Sequence, residues 1–193
     1  MRLFVAIAPD EDARLALEAA QAEIRSKTRL RARWVPPGNL HVTLAFLGRV
    51  EAAIVADLRS ALADALSPLA PFCVGLGRPG SFPSARRPRV LWVGIGDGAE
   101  RVVDLAATVC GALAPFPVAV DERPFHPHVT IGRVGVPAVD AALAARIESW
   151  ARPIGAPWKV RTVTLFESLP GPGSPRYEPV AVLPLAGAGP AAR

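Results

Sequence analysis

The sequence predicts an α+β domain with mostly antiparallel sheets. Short apolar runs that favour β-strands alternate along the chain with Ala- and Leu-rich segments of helical length, and some strand runs follow one another without a helix between them. A four-residue signature also occurs twice, each time within a strand-like run: His41-Val42-Thr43-Leu44 and His128-Val129-Thr130-Ile131. Internal duplication indicates two related halves, and 193 residues fit one compact domain or two closely packed lobes.

The first half of the chain alternates strand and helix. Acidic residues in the first turn of the first helix, and basic residues near its end, are the arrangement that the helix dipole favours. Prolines and a glycine before Asn39 predict a turn ahead of the first signature. The predicted strands are Leu3–Ala8, Trp34–Val35 and Leu40–Leu47, and the predicted helices run from Pro9 to Lys27 and from Glu51 to Leu66.

The second half repeats this alternation and ends in a pair of strands. A segment rich in Gly, Pro and Arg, Gly77 to Pro88, predicts a loop between two of the strands. The predicted strands are Phe72–Leu76, Arg89–Ile95, Val118–Val120, His128–Val134, Trp158–Ser168 and Tyr177–Leu185, and the predicted helices are Asp97–Leu113 and Ala138–Trp150. Residues 1–185 are predicted to form the domain, and 186–193, with little to bury, a disordered tail.

The charge and composition narrow the class of protein. A formal charge of +5 and a pI near 10.2 favour an anionic partner such as nucleic acid. The positive charge comes mostly from Arg in a chain that is also rich in Ala, Gly and Pro, so general composition explains it as well, and the charge alone is weak support for such a partner. Cys73 and Cys110 stand alone in apolar contexts and predict reduced core thiols rather than a disulfide framework or a metal site. The N-terminal apolar run is too short for a signal peptide, so a cytoplasmic protein is predicted.

The two signatures present the same pair of polar groups. Because side chains alternate along a strand, the His and the Thr two residues later share one face, while the residues between and after them point into a core. Two imidazoles facing one another across a cleft can supply a general base and a general acid near neutral pH. Two Thr hydroxyls can donate hydrogen bonds to a phosphoryl oxygen between them. The catalytic candidates are therefore His41, His128, Thr43 and Thr130.

A structural role for either histidine is the competing interpretation, since a buried strand often holds a His bonded to backbone. The repetition of the whole signature favours a functional role for both histidines. His126 is interpreted as structural or peripheral, because Pro127 interrupts regular strand pairing and the first copy has Asn39 at the matching place. Arg78, Arg86, Arg87 and Arg89 can follow an RNA backbone, although a solvated basic loop explains them equally well. Phe82 and Tyr177 can stack on a base, although aromatic residues among prolines usually pack locally.

Six segments carry a resemblance to a known family: Met1–Ile7, Arg33–Pro36, Asn39–Gly48, Pro88–Trp92, Arg123–Arg133 and Ser168–Tyr177. With these segments the chain resembles the RNA 2',3'-cyclic phosphodiesterases of the 2H phosphoesterase superfamily, historically called 2'-5' RNA ligases. The resemblance extends over nearly the whole sequence, and the two signatures match the HxTx motifs of the family in the expected order. Ala45 departs from the family, since relatives often have Lys there, and it is expected to reduce the positive charge near the first motif.

The resemblance implies two pseudo-symmetric lobes, with helices on the outside and a central concave cleft to which each lobe contributes a motif strand. It implies hydrolysis of an RNA 2',3'-cyclic phosphate end to a 2'-phosphate, with His41 as proton donor, His128 as proton acceptor, and Thr43, Thr130 and Arg133 on the phosphate. Strict alternation would place Arg133 on the face opposite His128, so a bulge or twist at Gly132 is expected.

Other functions remain open from the sequence alone. A 2'-5' RNA ligase would use the same acid and base in the reverse reaction. A metal hydrolase built on His126, His128 and His41 lacks a carboxylate partner, and no Asp or Glu adjoins either signature, so neither metal nor cofactor is predicted. A non-catalytic RNA-binding module would need the basic surface but not both imidazoles. The partner expected for each of the RNA functions is an RNA or oligonucleotide, bound by a monomer with no membrane association.

Overall fold

The computed structural model describes residues 1–28, 31–119, 124–135, 141–150 and 154–188. Within this part of the chain four α-helices and nine β-strands are present, and all of the strand pairings are antiparallel. The helices are α1 (Glu11–Lys27), α2 (Val55–Leu66), α3 (Ala99–Leu113) and α4 (Ala141–Glu148). The strands are β1 (Arg2–Ile7), β2 (Ala32–Trp34), β3 (Val42–Arg49), β4 (Phe72–Phe82), β5 (Val90–Ile95), β6 (His128–Val134), β7 (Ile154–Val160), β8 (Thr162–Leu169) and β9 (Arg176–Pro184).

The strands form a curled sheet in the order β7-β4-β5-β6-β3-β1-β8-β9. The two motif strands, β3 and β6, meet in the middle through one residue pair, Val42 opposite Val129. We call this pair the seam. It divides the sheet into a first lobe of β3, β1, β8 and β9 and a second lobe of β6, β5, β4 and β7. Strand β2 pairs with the part of β6 beyond the seam, from Gly132 to Val134, and so belongs to the second lobe.

Two of the helices, α1 and α3, pack on the lobe opposite to that of the strand they follow. Helix α1 follows β1 of the first lobe but packs on β7 and β6 of the second, beside α4. Helix α3 follows β5 of the second lobe but packs on β3 of the first and against α2, which covers β9. An ion pair between Glu23 and Arg146 joins α1 to α4. The core of each lobe is therefore completed by a helix from the other half.

Helix α1 shows how the sequence specifies this packing. Its four fully buried residues, Ala13, Leu17, Ala20 and Ile24, recur every three or four positions and form one apolar stripe. The Asp10 side chain accepts a hydrogen bond from the Ala13 N–H at 2.9 Å, which caps the first turn.

The predicted α+β class with antiparallel sheets and outer helices is confirmed, and most element boundaries shift by a few residues. Strand β4 continues to Phe82, so residues 77–82 of the predicted loop are strand. The predicted strand 158–168 is two strands separated at Arg161. Residues 118–119 are irregular, and the remaining position of that predicted strand, like residues 138–140 of the predicted fourth helix, lies outside the described residues.

Two further predictions need correction. Cys73 is exposed rather than part of the core, because the alternation of β4 points its neighbours Phe72 and Val74 inward. The predicted tail begins in ordered backbone: the N–H groups of Ala186 and Gly187 donate to the Ser67 and Leu69 carbonyls at 3.2 and 3.0 Å. Residues 189–193 of that tail lie outside the described residues.

None of the helices in the described segments is both long enough and apolar enough to span a membrane.

Candidate active site

The two signature histidines occupy matching places at the start of the two motif strands. His128 is the first residue of β6, and His41 immediately precedes β3. Each imidazole is held through Nδ1, which lies 2.7 Å from the Asn39 carbonyl oxygen for His41 and 2.6 Å from the His126 carbonyl oxygen for His128. A carbonyl can only accept, so Nδ1–H donates and, in the neutral ring, Nε2 is left as the acceptor. Both rings therefore offer the same nitrogen for chemistry.

Aromatic rings surround both imidazoles. Phe4 and Tyr177 lie 4.9 and 5.3 Å from the His41 ring, centroid to centroid. Phe82 lies 5.3 Å from the His128 ring in an edge-on arrangement, and Trp92 lies 6.0 Å away. These rings restrict the rotation of each imidazole and remove water from its sides.

The two threonines follow their histidines on the same face. Thr43 is opposite Ala6 of β1, and Thr130 is opposite Trp92 of β5. Both are half-buried, whereas Val42 and Val129, the residues that precede them, are buried. The alternation predicted for the signatures therefore holds, and each hydroxyl lies two residues beyond an imidazole, on the face opposite the buried valines.

A β-bulge re-aims Arg133. Trp92 pairs with Thr130 and Leu91 with Gly132, so Ile131 is an extra residue in β6. Because of it Ile131 and Gly132 are both buried, and Arg133 becomes exposed on the same side as Thr130. The first copy has the same irregularity at Leu44, which is followed by buried Ala45 and exposed Phe46. A Lys at position 45 would therefore begin on the buried face, so Ala45 does not reduce the charge of the cleft directly.

Burial dominates the electrostatics of the histidines. Desolvation lowers the pKa of His41 to about 4; the Asn39 carbonyl opposes this shift, and the positive charges of Arg133 and His128 add to it. Desolvation also lowers the pKa of His128, with the His126 carbonyl opposing and His126 and Arg133 adding to the effect. The positive charge of Arg133 therefore disfavours the protonated form of both rings. In the free protein both imidazoles are therefore neutral at pH 7.

The loop between β8 and β9 is fastened beside His41. The Asn39 side chain donates to the Pro175 carbonyl oxygen at 2.6 Å, and Arg33 Nη1 donates to the Gly173 carbonyl oxygen at 3.2 Å. Tyr177, which contacts the His41 ring, follows this loop. Asn39 thus links the orientation of His41 to the loop, through its backbone on one side and its amide on the other.

Several of these features were not predicted from the sequence. Phe4, Trp92 and the two carbonyls have no motif of their own, although the alternation of β1 and β5 could have placed Phe4 and Trp92 beside the signatures. The His126 side chain is exposed; its backbone carbonyl holds the His128 ring, and its positive charge adds to the lowering of the pKa of His128.

The structure also places the other sequence candidates. Arg78, Arg86, Arg87 and Arg89 are exposed on β4 and the loop after it. Gly98 is the N-cap of helix α3; its φ is 73°, and a Cβ at this position would collide with the Cys73 carbonyl oxygen. Among the described residues no cluster of three His, Cys, Asp or Glu side chains is placed to hold a metal ion.

Comparisons with known proteins agree with this geometry. The profile of the 2'-5' RNA ligase superfamily matches residues 9–171. An Archaeoglobus fulgidus protein named RNA 2',3'-cyclic phosphodiesterase is 30% identical over 182 residues, which are 94% of this chain and 99% of that protein. A protein of the same name from Geobacillus stearothermophilus is 30% identical over 187 residues; the match covers 96% of this chain but 57% of that protein.

Solved structures give the same result. TT0787 of Thermus thermophilus superposes with a TM-score of 0.82 at 28% identity, covering 98% of this chain and all of the other. E. coli LigT complexed with 3'-AMP superposes with a TM-score of 0.75 at 28% identity, covering 95% of this chain and 97% of LigT. Together with the duplicated signature and the paired imidazoles, these matches show that the chain belongs to the 2'-5' RNA ligase superfamily.

Proposed function

We propose that the protein hydrolyses the 2',3'-cyclic phosphate at an RNA end to a 2'-phosphate, without a metal ion. The observation that carries the proposal is the matched pair of imidazoles, each held through Nδ1 by a backbone carbonyl, so that Nε2 is the unprotonated nitrogen of the neutral ring. The names of the relatives and the complex of LigT with 3'-AMP support the choice of an RNA phosphate as substrate.

In the proposed reaction His128 takes a proton from water as the water oxygen attacks phosphorus. The bond from phosphorus to the ribose 3'-oxygen breaks, and His41 gives its proton to that oxygen. The product retains the phosphate on the 2'-oxygen. Thr43, Thr130 and Arg133 hold the non-bridging oxygens and stabilise the charge that develops on them in the transition state.

The proton on His41 requires an explanation, since its pKa in the free protein is about 4. A bound phosphate carries negative charge, and a nearby negative charge favours the protonated imidazole. Substrate binding therefore offsets the desolvation of His41 and the repulsion from Arg133. The role of donor is assigned to His41 from the family resemblance, and the pH dependence discussed below tests it.

Ligation is the second candidate, and the description of the superfamily favours it. If a ribose 5'-hydroxyl replaces water as the nucleophile, the same proton transfers produce a 2'-5' phosphodiester. The nucleophile that reaches phosphorus decides the outcome, and the acid and base are unchanged.

One experiment separates these functions. The purified protein is incubated with an oligonucleotide ending in a 2',3'-cyclic phosphate, with and without excess EDTA and with and without a 5'-hydroxyl oligonucleotide. We expect a 2'-phosphate end in all arms. Loss of activity in EDTA that zinc or magnesium restores would contradict the metal-free mechanism. Binding without any conversion would indicate an RNA-binding module. A longer product in the 5'-hydroxyl arm would demonstrate ligation.

The predicted cytoplasmic location and monomeric state stay predictions.

A further inference from the structure

We propose that Arg33 forms a second anion site, which binds the phosphodiester immediately upstream of the reacting cyclic phosphate. The inference rests on the proposed function and narrows its substrate class: an oligonucleotide end, which carries this second phosphate, is preferred over a cyclic mononucleotide, which does not.

The position of β2 is the first support. β3 pairs with β6 only at the seam. Further along β6, from Gly132 to Val134, β2 is the strand that pairs with this side of β6. Arg33 is the middle residue of β2 and is directly opposite Arg133. Opposite residues of an antiparallel pair share a face, with Cβ atoms roughly 4.5–5.5 Å apart. Arg33 therefore lies on the face of Arg133, one strand further along the sheet.

The charge of this pair is the second support. Like charges directly opposite one another destabilise a sheet, and among the described residues no carboxylate forms an ion pair with Arg33 or Arg133. Both side chains are exposed. The bulge at Ile131 brings Arg133 to the face of Thr130, beside the imidazoles, so the proposed function assigns Arg133 to the reacting phosphate. Arg33 is then available to bind a second anion beside the reacting phosphate. In an RNA strand that second anion is the neighbouring phosphodiester.

The orientation of Arg33 is the third support. Its Nη1 donates to the Gly173 carbonyl, which holds the guanidinium in place and leaves the other N–H groups for a ligand. A guanidinium fixed before binding loses less side-chain entropy when it contacts a phosphate than a free one does.

Arg2 and Arg49 provide a matched control. They are also directly opposite one another, in β1 and β3, and both are exposed. Arg49 is the last residue of β3, at the end of the strand away from His41. This pair therefore has the same opposed charges but lies away from the imidazoles, and the distinction of Arg33 is that its partner lies on the face of Thr130.

The test removes the negative charge of the upstream phosphodiester in the substrate and, separately, the positive charge of Arg33 in the protein. The substrates are two dinucleotides that end in a 2',3'-cyclic phosphate, one with a normal phosphodiester and one with an uncharged methylphosphonate linkage. The variants are Arg33→Gln, Arg33→Lys and Arg49→Gln. The readout is the ratio of kcat/KM for the charged linkage to kcat/KM for the uncharged one, with folding checked by circular dichroism.

We expect a ratio of about tenfold or more in the wild type, since a charge-assisted hydrogen bond contributes on the order of 1.5–3 kcal/mol and 1.4 kcal/mol corresponds to a factor of ten. In Arg33→Gln the ratio falls to within about twofold of unity, Arg33→Lys retains part of it because the charge remains, and Arg49→Gln keeps the wild-type ratio.

Equal losses on both substrates in Arg33→Gln, or a wild-type ratio near one, would overturn the inference while leaving the proposed function intact. Failure of the wild type to hydrolyse either dinucleotide or a cyclic mononucleotide would instead contradict the proposed function. A misfolded Arg33→Gln leaves the wild-type ratio and the Arg33→Lys variant as independent tests.

Discussion

Each imidazole of the site owes its orientation to one backbone carbonyl two residues earlier, that of Asn39 for His41 and that of His126 for His128. A carbonyl is present whatever the side chain, so the sequence could not mark these two positions as functional. The alternation within the signatures did predict that each His shares a face with its Thr. The bulge that turns Arg133 toward the same face was expected at Gly132; the extra residue is Ile131.

Removal of either imidazole is the most direct test of this arrangement. We expect His41→Ala and His128→Ala each to lower kcat by at least about 100-fold, the usual scale for losing a general acid or base, while circular dichroism shows a retained fold. His126→Ala is the control, because it keeps the carbonyl that holds His128. Near wild-type turnover in His41→Ala or His128→Ala, or an equal loss in His126→Ala, would contradict the two-histidine mechanism.

The pH dependence follows from the lowered pKa values. Both imidazoles of the free protein deprotonate below their ordinary pKa of 6.5, and the acid must carry a proton, so kcat/KM should decline as the pH rises above a maximum that lies on the acidic side of 6.5. The bound phosphate raises the pKa of the imidazoles, which moves the kcat profile to higher pH. Measuring both profiles from about pH 4 to 9 tests this.

The limbs of these profiles test the assignment of roles. In His41→Ala the high-pH limb of the kcat/KM profile, which is due to the acid, should flatten. In His128→Ala the low-pH limb, which is due to the base, should flatten instead. The opposite pattern would reverse the two roles and keep the pair. A wild-type profile that is flat from about pH 5 to 9 would contradict histidine acid-base catalysis altogether.

Strand β4 shows why the boundaries of elements were harder to predict than their order. Gly77, Pro79 and Gly80 favour a loop in the sequence, yet they lie in a strand that pairs with β5. Gly80 is needed there because the indole of Trp92 lies directly over it, so that any Cβ would overlap the ring. Gly80, which favoured a loop in the sequence, therefore lies in a strand and packs directly against Trp92 of the active site.

This contact predicts the effect of one added methyl group. Gly80→Ala should displace the Trp92 indole, which contacts His128, and lower both kcat and stability, the latter by about 1–3 kcal/mol as is usual for overpacking. Gly111→Ala is the control: nothing lies within 4 Å of its Cβ position in α3, so stability should rise by about 0.5–1 kcal/mol. Denaturant unfolding and kinetics with a cyclic-phosphate substrate measure both effects. Unchanged kinetics in Gly80→Ala would show that the indole does not position His128.

In the whole molecule, the crossing helices make the two lobes depend on one another. The α+β class and the order of elements follow from hydrophobic periodicity, but the packing of α1 on the second lobe arises from contacts between distant residues. No local pattern predicts it. We therefore expect the lobes to unfold together, although each has its own four-stranded sheet.

The tryptophans allow this to be measured, since Trp34, Trp92 and Trp158 lie in strands of the second lobe and Trp150 lies two residues after α4. Leu165→Ala, at a fully buried position of β8 in the first lobe, should cost about 2–5 kcal/mol. It should lower the midpoint of tryptophan fluorescence and that of circular dichroism equally. Val182→Ala, at an exposed position of β9 in the same lobe, should change neither midpoint appreciably. A fluorescence midpoint that stays at the wild-type value in Leu165→Ala would show that the lobes unfold independently.

The seam joins a residue to its own counterpart, because Val42 and Val129 hold the same place in the two signatures. Such an antiparallel pair is the geometry of an isologous dimer contact, in which the same surface meets itself across a two-fold axis. That local axis passes between the two imidazoles, which immediately precede the paired valines. The axis therefore relates one His–Thr pair to the other, and the position five residues after each His is where the two sides differ: it is Arg133 on one side and Phe46 on the other. A site built on two equivalent sides thus carries its asymmetry, and with it the means to give the two imidazoles different tasks, in this one pair of residues.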